Sequence, residues 1–146
     1  MSNVNGFIIN NGVLESYKGN ESYLVIPEGV TCLGSMPWGG RLFGSNDSAI
    51  QSVIIPNTVT CISHKAFSGC FNLSEVTIPE SVQSIGQLAF AYCSSLKAIS
   101  IPKGVKGINY NAFNSCTSLT EAVVHGDISD IAKEKILGKN FARLFL

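Results

Sequence analysis

Covalent or metal chemistry in this chain would have to come from five cysteines and two histidines: Cys32, Cys61, Cys70, Cys93, Cys116, His64 and His125. A nucleophilic cysteine needs a base within hydrogen-bond reach, and a zinc site needs three or four ligands converging on one point. Neither histidine is placed by the sequence pattern beside a cysteine. No CxxC occurs, and the odd number of cysteines leaves at least one unpaired in a monomer. The regular feature is their spacing. Cys70, Cys93 and Cys116 follow one another at intervals of 23 residues, inside the phrases AFSGCFNL, AFAYCSSL and AFNSCTSL.

That interval belongs to a larger unit. Ile-Pro recurs at residues 26–27, 55–56, 78–79 and 101–102, the first interval being 29 residues and the next two 23. Aligned on proline, the unit reads IPxxVxxIxxxAFxxCxxLxxVx. It carries Val30, Val59, Val82 and Val105 in one slot and Leu33, Ile62, Ile85 and Ile108 in another. Eight apolar slots in 23 positions are too many for one isolated turn to bury, whereas stacked turns build a continuous core. VTI, ISI and AVV alternate as short β-strands, with proline ending each strand by removing a donor. Apolar residues at 85, 89, 90 and 93 are close to helical spacing and predict a short helical turn on the opposite wall.

Stacking also bears on the cysteines. Cα atoms about 4.8 Å apart lie inside the roughly 4.4–6.8 Å that a disulfide spans. Side chains in one slot, however, point the same way and lie side by side, and free cysteine packs as a small hydrophobe. The expectation is a ladder of five buried thiols, with no catalytic residue, no metal site and no cofactor.

The unit resembles the BspA-type leucine-rich repeat over roughly residues 23–128. The resemblance implies an α/β leucine-rich-repeat solenoid, right-handed, with short parallel β-strands on the concave face and short helical turns opposite. FIINNGVLESYKG resembles the hairpin that precedes such arrays, and Asn11-Gly12 is a type I′ turn signal. A single repeat domain is expected: a hairpin cap at 1–22, repeats at 23–128 with an insertion near 34–48, and a C-terminal cap at 129–146. SDIAKEKILG reads as a capping helix begun by Ser129 or Asp130 and ended near Gly138. The apolar tail of Phe141, Leu144, Phe145 and Leu146 is expected to pack on the last turn of a monomer, the alternative being a dimer through that tail.

Function is less legible. The formal net charge is zero, which offers no field to attract phosphate backbones or anionic lipid. No apolar run approaches the roughly 18 residues of a membrane span, so neither nucleic acid nor membrane insertion is expected. The outward strand positions Tyr23, Val25, Ser52, Ile54, Glu75, Thr77, Ala98, Ser100, Glu121 and Val123 form a shallow strip better suited to a protein or peptide than to a small molecule. The insertion adds Trp38 and Arg41, residue types favoured at interface hot spots. The resemblance implies surface proteins that take part in adhesion and host contact, and with it a non-enzymatic protein-interaction module. An intracellular scaffold or regulatory module is the alternative, favoured by the N-terminus MSNVNGFIINNG, which carries no basic run followed by an apolar stretch, and by the expected unpaired cysteines. Location therefore stays open between cell surface and cytoplasm.

Overall fold

The IPxxV phrase is a tight turn. The carbonyls of Pro27, Pro56, Pro79 and Pro102 each accept the amide of the valine three residues on, at 3.1–3.4 Å. All four valines are buried, so each turn drops one apolar anchor into the interior. Thr58 and Ser81 tie these turns together, their hydroxyls donating to the carbonyls of Val30 and Val59 one repeat earlier.

The computed structural model describes residues 2–35, 40–43, 49–109 and 111–126. In chain order its strands are β1 (Ser2–Val4), β2 (Phe7–Asn10), β3 (Val13–Tyr17), β4 (Tyr23–Val25), β5 (Cys32–Leu33), β6 (Ser52–Ile54), β7 (Cys61–Ile62), β8 (Glu75–Thr77), β9 (Ser84–Ile85), β10 (Ala98–Ile101), β11 (Gly107–Ile108) and β12 (Glu121–Val124). The strands of VTI, ISI and AVV type form parallel ladders β4–β6–β8 and β10–β12. Leu24, Val53 and Val76 are in register on the inner face, while Thr77 and its partners Val25 and Ile54 point outward. This is the alternation expected from the sequence.

A second sheet was not expected. It runs β1-β2-β3-β5-β7-β9-β11, antiparallel through the N-terminal hairpin and parallel thereafter. Leu14, Leu33, Ile62, Ile85 and Ile108 occupy one column of it. The hairpin therefore supplies the neighbour of the first parallel strand. Asn11 and Gly12 have φ of 49° and 79°, the paired positive values of a type I′ turn. Successive strands β5, β7, β9 and β11 mark four turns of solenoid.

The predicted helical turn on the opposite wall is absent, and no helix occurs among the described residues. The reason lies in where the amides go. Those of Ala66, Ser68 and Cys70 bond three residues back, whereas those of Lys65, Phe67 and Gly69 reach the carbonyls of Gln87, Ala89 and Ala91 in the next turn. Alternation of local and cross-turn bonds requires alternation of backbone handedness. Lys65, Leu88 and Asn111 have φ of 56–58°, and Gly69, Tyr92 and Ser115 of 59–78°. Left-handed residues recurring every fourth position exclude an α-helix. The apolar spacing near that of a helix arises instead from consecutive β-turns.

Between the walls the core is one column per slot. Its central column is aromatic: Phe7, Tyr17, Phe43, Phe67, Phe90 and Phe113, with successive ring centroids 4.8–5.9 Å apart. The rings of Phe67, Phe90 and Phe113 are parallel within 5°. Gly86 permits the close passage of turns, since a Cβ there would lie 2.5 Å from the His64 amide nitrogen. No helix among the described residues is long and apolar enough to cross a membrane. The predicted helix from Ser129 to Gly138 and the tail beyond it lie outside the described residues.

Candidate interaction surface

The strand ladders bring most of the sequence-predicted surface residues together. Tyr23, Ser52 and Glu75 are direct cross-strand partners, as are Val25, Ile54 and Thr77. Ala98 faces Glu121 and Ser100 faces Val123. All are exposed except the half-buried Ser52. The face is apolar at one end, where Tyr23, Val25 and Ile54 are 58%, 53% and 42% exposed, and carries Glu75 and Glu121 further along. Arg41 is not among them. Its guanidinium covers Gly69, 3.0 Å from where a Cβ of that residue would stand, so it belongs to the turn wall. Trp38 lies outside the described residues.

One polar pair on this face was missed in the sequence. Ser100 Oγ and His125 Nε2 are 2.9 Å apart, the donor depending on the histidine tautomer. His125 takes the slot that proline fills in earlier repeats, and its amide bonds the Ile101 carbonyl at 3.0 Å. On an open strand face both groups are solvated, so the bond pins the imidazole to β10 without activating the hydroxyl. Among the described residues, no group of three or more His, Cys, Asp or Glu could hold a metal ion.

The five-thiol ladder expected from the sequence is corrected at its first rung. Cys32 and Cys61 are joined by a disulfide, with Cα atoms 4.8 Å apart. They are direct register partners on the parallel strands β5 and β7, where adjacent side chains stand close enough for sulfur to meet sulfur. Side chains pointing the same way do not prevent this. Cys70, Cys93 and Cys116 remain buried thiols outside any disulfide. Cys93 donates to the Phe67 carbonyl at 3.3 Å and Cys116 to that of Phe90 at 3.2 Å. Each thiol thus points at the preceding turn's backbone. Burial pushes the Cys93 thiol well above its ordinary value, and charge on Cys70 or Cys116 would push the same way, so its reactive thiolate is suppressed.

Maleimide labelling of the native, unreduced protein is accordingly expected to modify none of these three thiols. Unfolding without reductant should expose three sites by mass, and unfolding with reductant all five. Rapid labelling of Cys93 in the native protein contradicts the buried arrangement.

The repeat phrases and the stacked turns have a counterpart among known families. The sequence model of the BspA-type leucine-rich repeat region matches residues 41–142 in six copies, well over half of the chain. The chain belongs to the BspA-type leucine-rich repeat family. Solved structures share its fold. A leucine-rich repeat protein from Bacteroides capillosus superposes with a TM-score of 0.66 at 28% identity, over 84% of this chain and 96% of its own. A leucine rich cell surface protein from Faecalibacterium prausnitzii gives 0.65 at 23% identity, over 85% of this chain. A leucine rich repeat protein from T. pallidum gives 0.52 at 20% identity, covering 86% of this chain and 87% of its own. The chain spans only 37% of the Faecalibacterium protein. None of the curated proteins matches it. The leucine slot of the repeat is Leu73, Leu96 and Leu119, all fully buried.

Proposed function

We propose that this chain is a non-enzymatic protein-interaction module that works outside the cytoplasm, at a cell surface or in secreted form. The observation that carries the binding reading is the distribution of exposed apolar side chains. Of the six large ones most exposed among the described residues, Tyr23, Val25, Ile54 and Val123 stand on the strand face. Tyr23, Val25 and Ile54 are neighbours on the paired strands β4 and β6, and contiguous exposed apolar surface marks an interaction site. The ten strand-face positions then form the contact surface, matched to a protein whose own face is apolar with a weakly basic margin to meet Glu75 and Glu121. Trp38, in the insertion, is a further candidate for the contact, whereas Arg41 covers Gly69 on the turn wall and is left out of it.

The Cys32–Cys61 disulfide supports the extracytoplasmic part of this reading, because such bonds persist in oxidising compartments and are rare in the cytosol. It weighs against the intracellular scaffold. The Faecalibacterium neighbour is a cell surface protein; at its level of identity the likeness carries the fold, and the disulfide carries the location. We further infer from the family resemblance a right-handed coil, a monomer, and a C-terminal cap over residues 129–146.

Capture of partners from the surface of neighbouring cells, followed by charge substitution, tests the proposal. Thr77→Arg and Ser100→Arg are expected to weaken binding of a captured protein at least about tenfold by placing unpaired charge in the contact. Trp38→Ala should weaken it if the insertion takes part. Unchanged binding in all three variants excludes both surfaces.

A further inference from the structure

Away from the strand face, where the turn wall runs into β6, β8 and β10, the surface dips into an open groove of about 310 Å3 lined by Gln51, Asn72, Ser74, Ser95, Lys97 and Ser118. The repeat builds it. Gln51, Ser74 and Lys97 each immediately precede a strand and are 23 residues apart, as are Asn72, Ser95 and Ser118 in a second file. Ser74 is fixed to the preceding turn, its hydroxyl donating to the Gln51 carbonyl at 3.2 Å. The side chains of Gln51, Ser95, Lys97 and Ser118 make no hydrogen bond to the protein among the described residues. The groove therefore offers the hydroxyls of Ser95 and Ser118, the Gln51 carboxamide and the Lys97 ammonium along the solenoid, with no apolar side chain in its lining.

We propose that this groove binds a carbohydrate chain laid along the solenoid axis. Drug-like and cofactor ligands are held by mostly apolar pockets, which this lining does not provide. Peptides enter grooves as an added strand at an open sheet edge, as a helix on an apolar floor, or as polyproline on aromatic walls; the groove lies on turns and has neither floor nor walls of those kinds. One lysine does not neutralise a phosphate backbone. A polyhydroxylated chain fits the remaining chemistry. Its hydroxyls both donate and accept, as do the serine hydroxyls and the carboxamide of Gln51, and its monomers follow one another as the polar rungs of the groove do. The Lys97 ammonium donates only, suiting it to ring, acetal or acid oxygens. Each rung exchanges hydrogen bonds with water, so single sugars bind weakly and affinity grows with the number of rungs occupied.

The full chain, labelled at its N-terminus, is applied to an array of neutral and of uronate- or sialate-bearing oligosaccharides of graded length, with gelatin peptides alongside. The expected result is binding to one oligosaccharide class that strengthens with chain length. Gln51→Ala combined with Lys97→Ala, both exposed positions, should weaken it at least about tenfold through the lost hydrogen bonds. Ser95→Trp, which fills the groove, should abolish it, and Thr77→Arg on the strand face should leave it unchanged. Circular dichroism checks that the variants fold, and if Ser95→Trp does not, the exposed pair decides. The proposal is overturned if no oligosaccharide binds, if binding survives the groove substitutions, or if gelatin peptides bind and are lost with them, which assigns the groove to peptide.

Discussion

Truncating Phe90 to alanine is expected to cost about 3–5 kcal/mol of folding stability, the range for a fully buried phenylalanine whose site cannot collapse. Phe90 is 0% exposed and its ring lies parallel to Phe67 on one side and Phe113 on the other, at centroid distances of 5.0 and 5.2 Å. Collapse is prevented because the backbone on both sides is held by cross-turn bonds: the Phe90 amide to the Ala112 carbonyl and the Phe67 amide to the Ala89 carbonyl, at 2.8 and 2.7 Å. In a solenoid each turn is stabilised mainly by its neighbours, so a void at a middle rung weakens two interfaces. Phe7, which ends the column among the described residues with Tyr17 as its ring neighbour, should cost less when truncated. Urea denaturation followed by circular dichroism measures both, with stability read from the midpoint at constant m-value. A loss below about 1 kcal/mol for Phe90→Ala, or a larger loss for Phe7→Ala, contradicts this account of the column.

The same column shows what could be read from the chain and what could not. Phe67, Phe90 and Phe113 share a slot of the 23-residue unit, so their stacking followed from repetition alone. Tyr17 and Phe7 extend the column through the hairpin, where no repeat phrase marks them. Asn5-Gly6 escaped notice although it is the same turn signal as Asn11-Gly12; with φ of 50° and 85° it turns β1 into β2. The strand face was legible because period two is unambiguous once proline fixes the register. The turn wall was not, because apolar residues three and four apart suit consecutive β-turns as well as a helix, and only the direction of the amides separates the two. The groove was hidden for a related reason: its residues lie in slots where polarity recurs but residue type does not, as in Gln51, Ser74 and Lys97. Such variation looks like ordinary solvated surface until the fold lines it up.

Removing the Cys32–Cys61 disulfide is expected to lower stability by roughly 3–4 kcal/mol, the chain-entropy figure for a closed loop of about 30 residues. The bond joins residues 29 apart and encloses the six-residue departure from the 23-residue repeat. Its removal should leave the native ladders intact, since Cys32 and Cys61 are also paired through their backbones. The double variant Cys32→Ala/Cys61→Ala avoids leaving a lone thiol. Its denaturation midpoint should fall and should not respond to dithiothreitol, whereas the parent's midpoint should fall to match it when reductant is added. A parent midpoint that ignores reductant means that the bond does not form in solution or does not constrain the unfolded chain. The result also bears on location. Native stabilities lie at about 5–15 kcal/mol, so a loss of this size in a reducing compartment is a substantial share of the whole. A chain that depends on this bond is best kept where thiols are oxidised, and one that does not is equally at home where they are reduced.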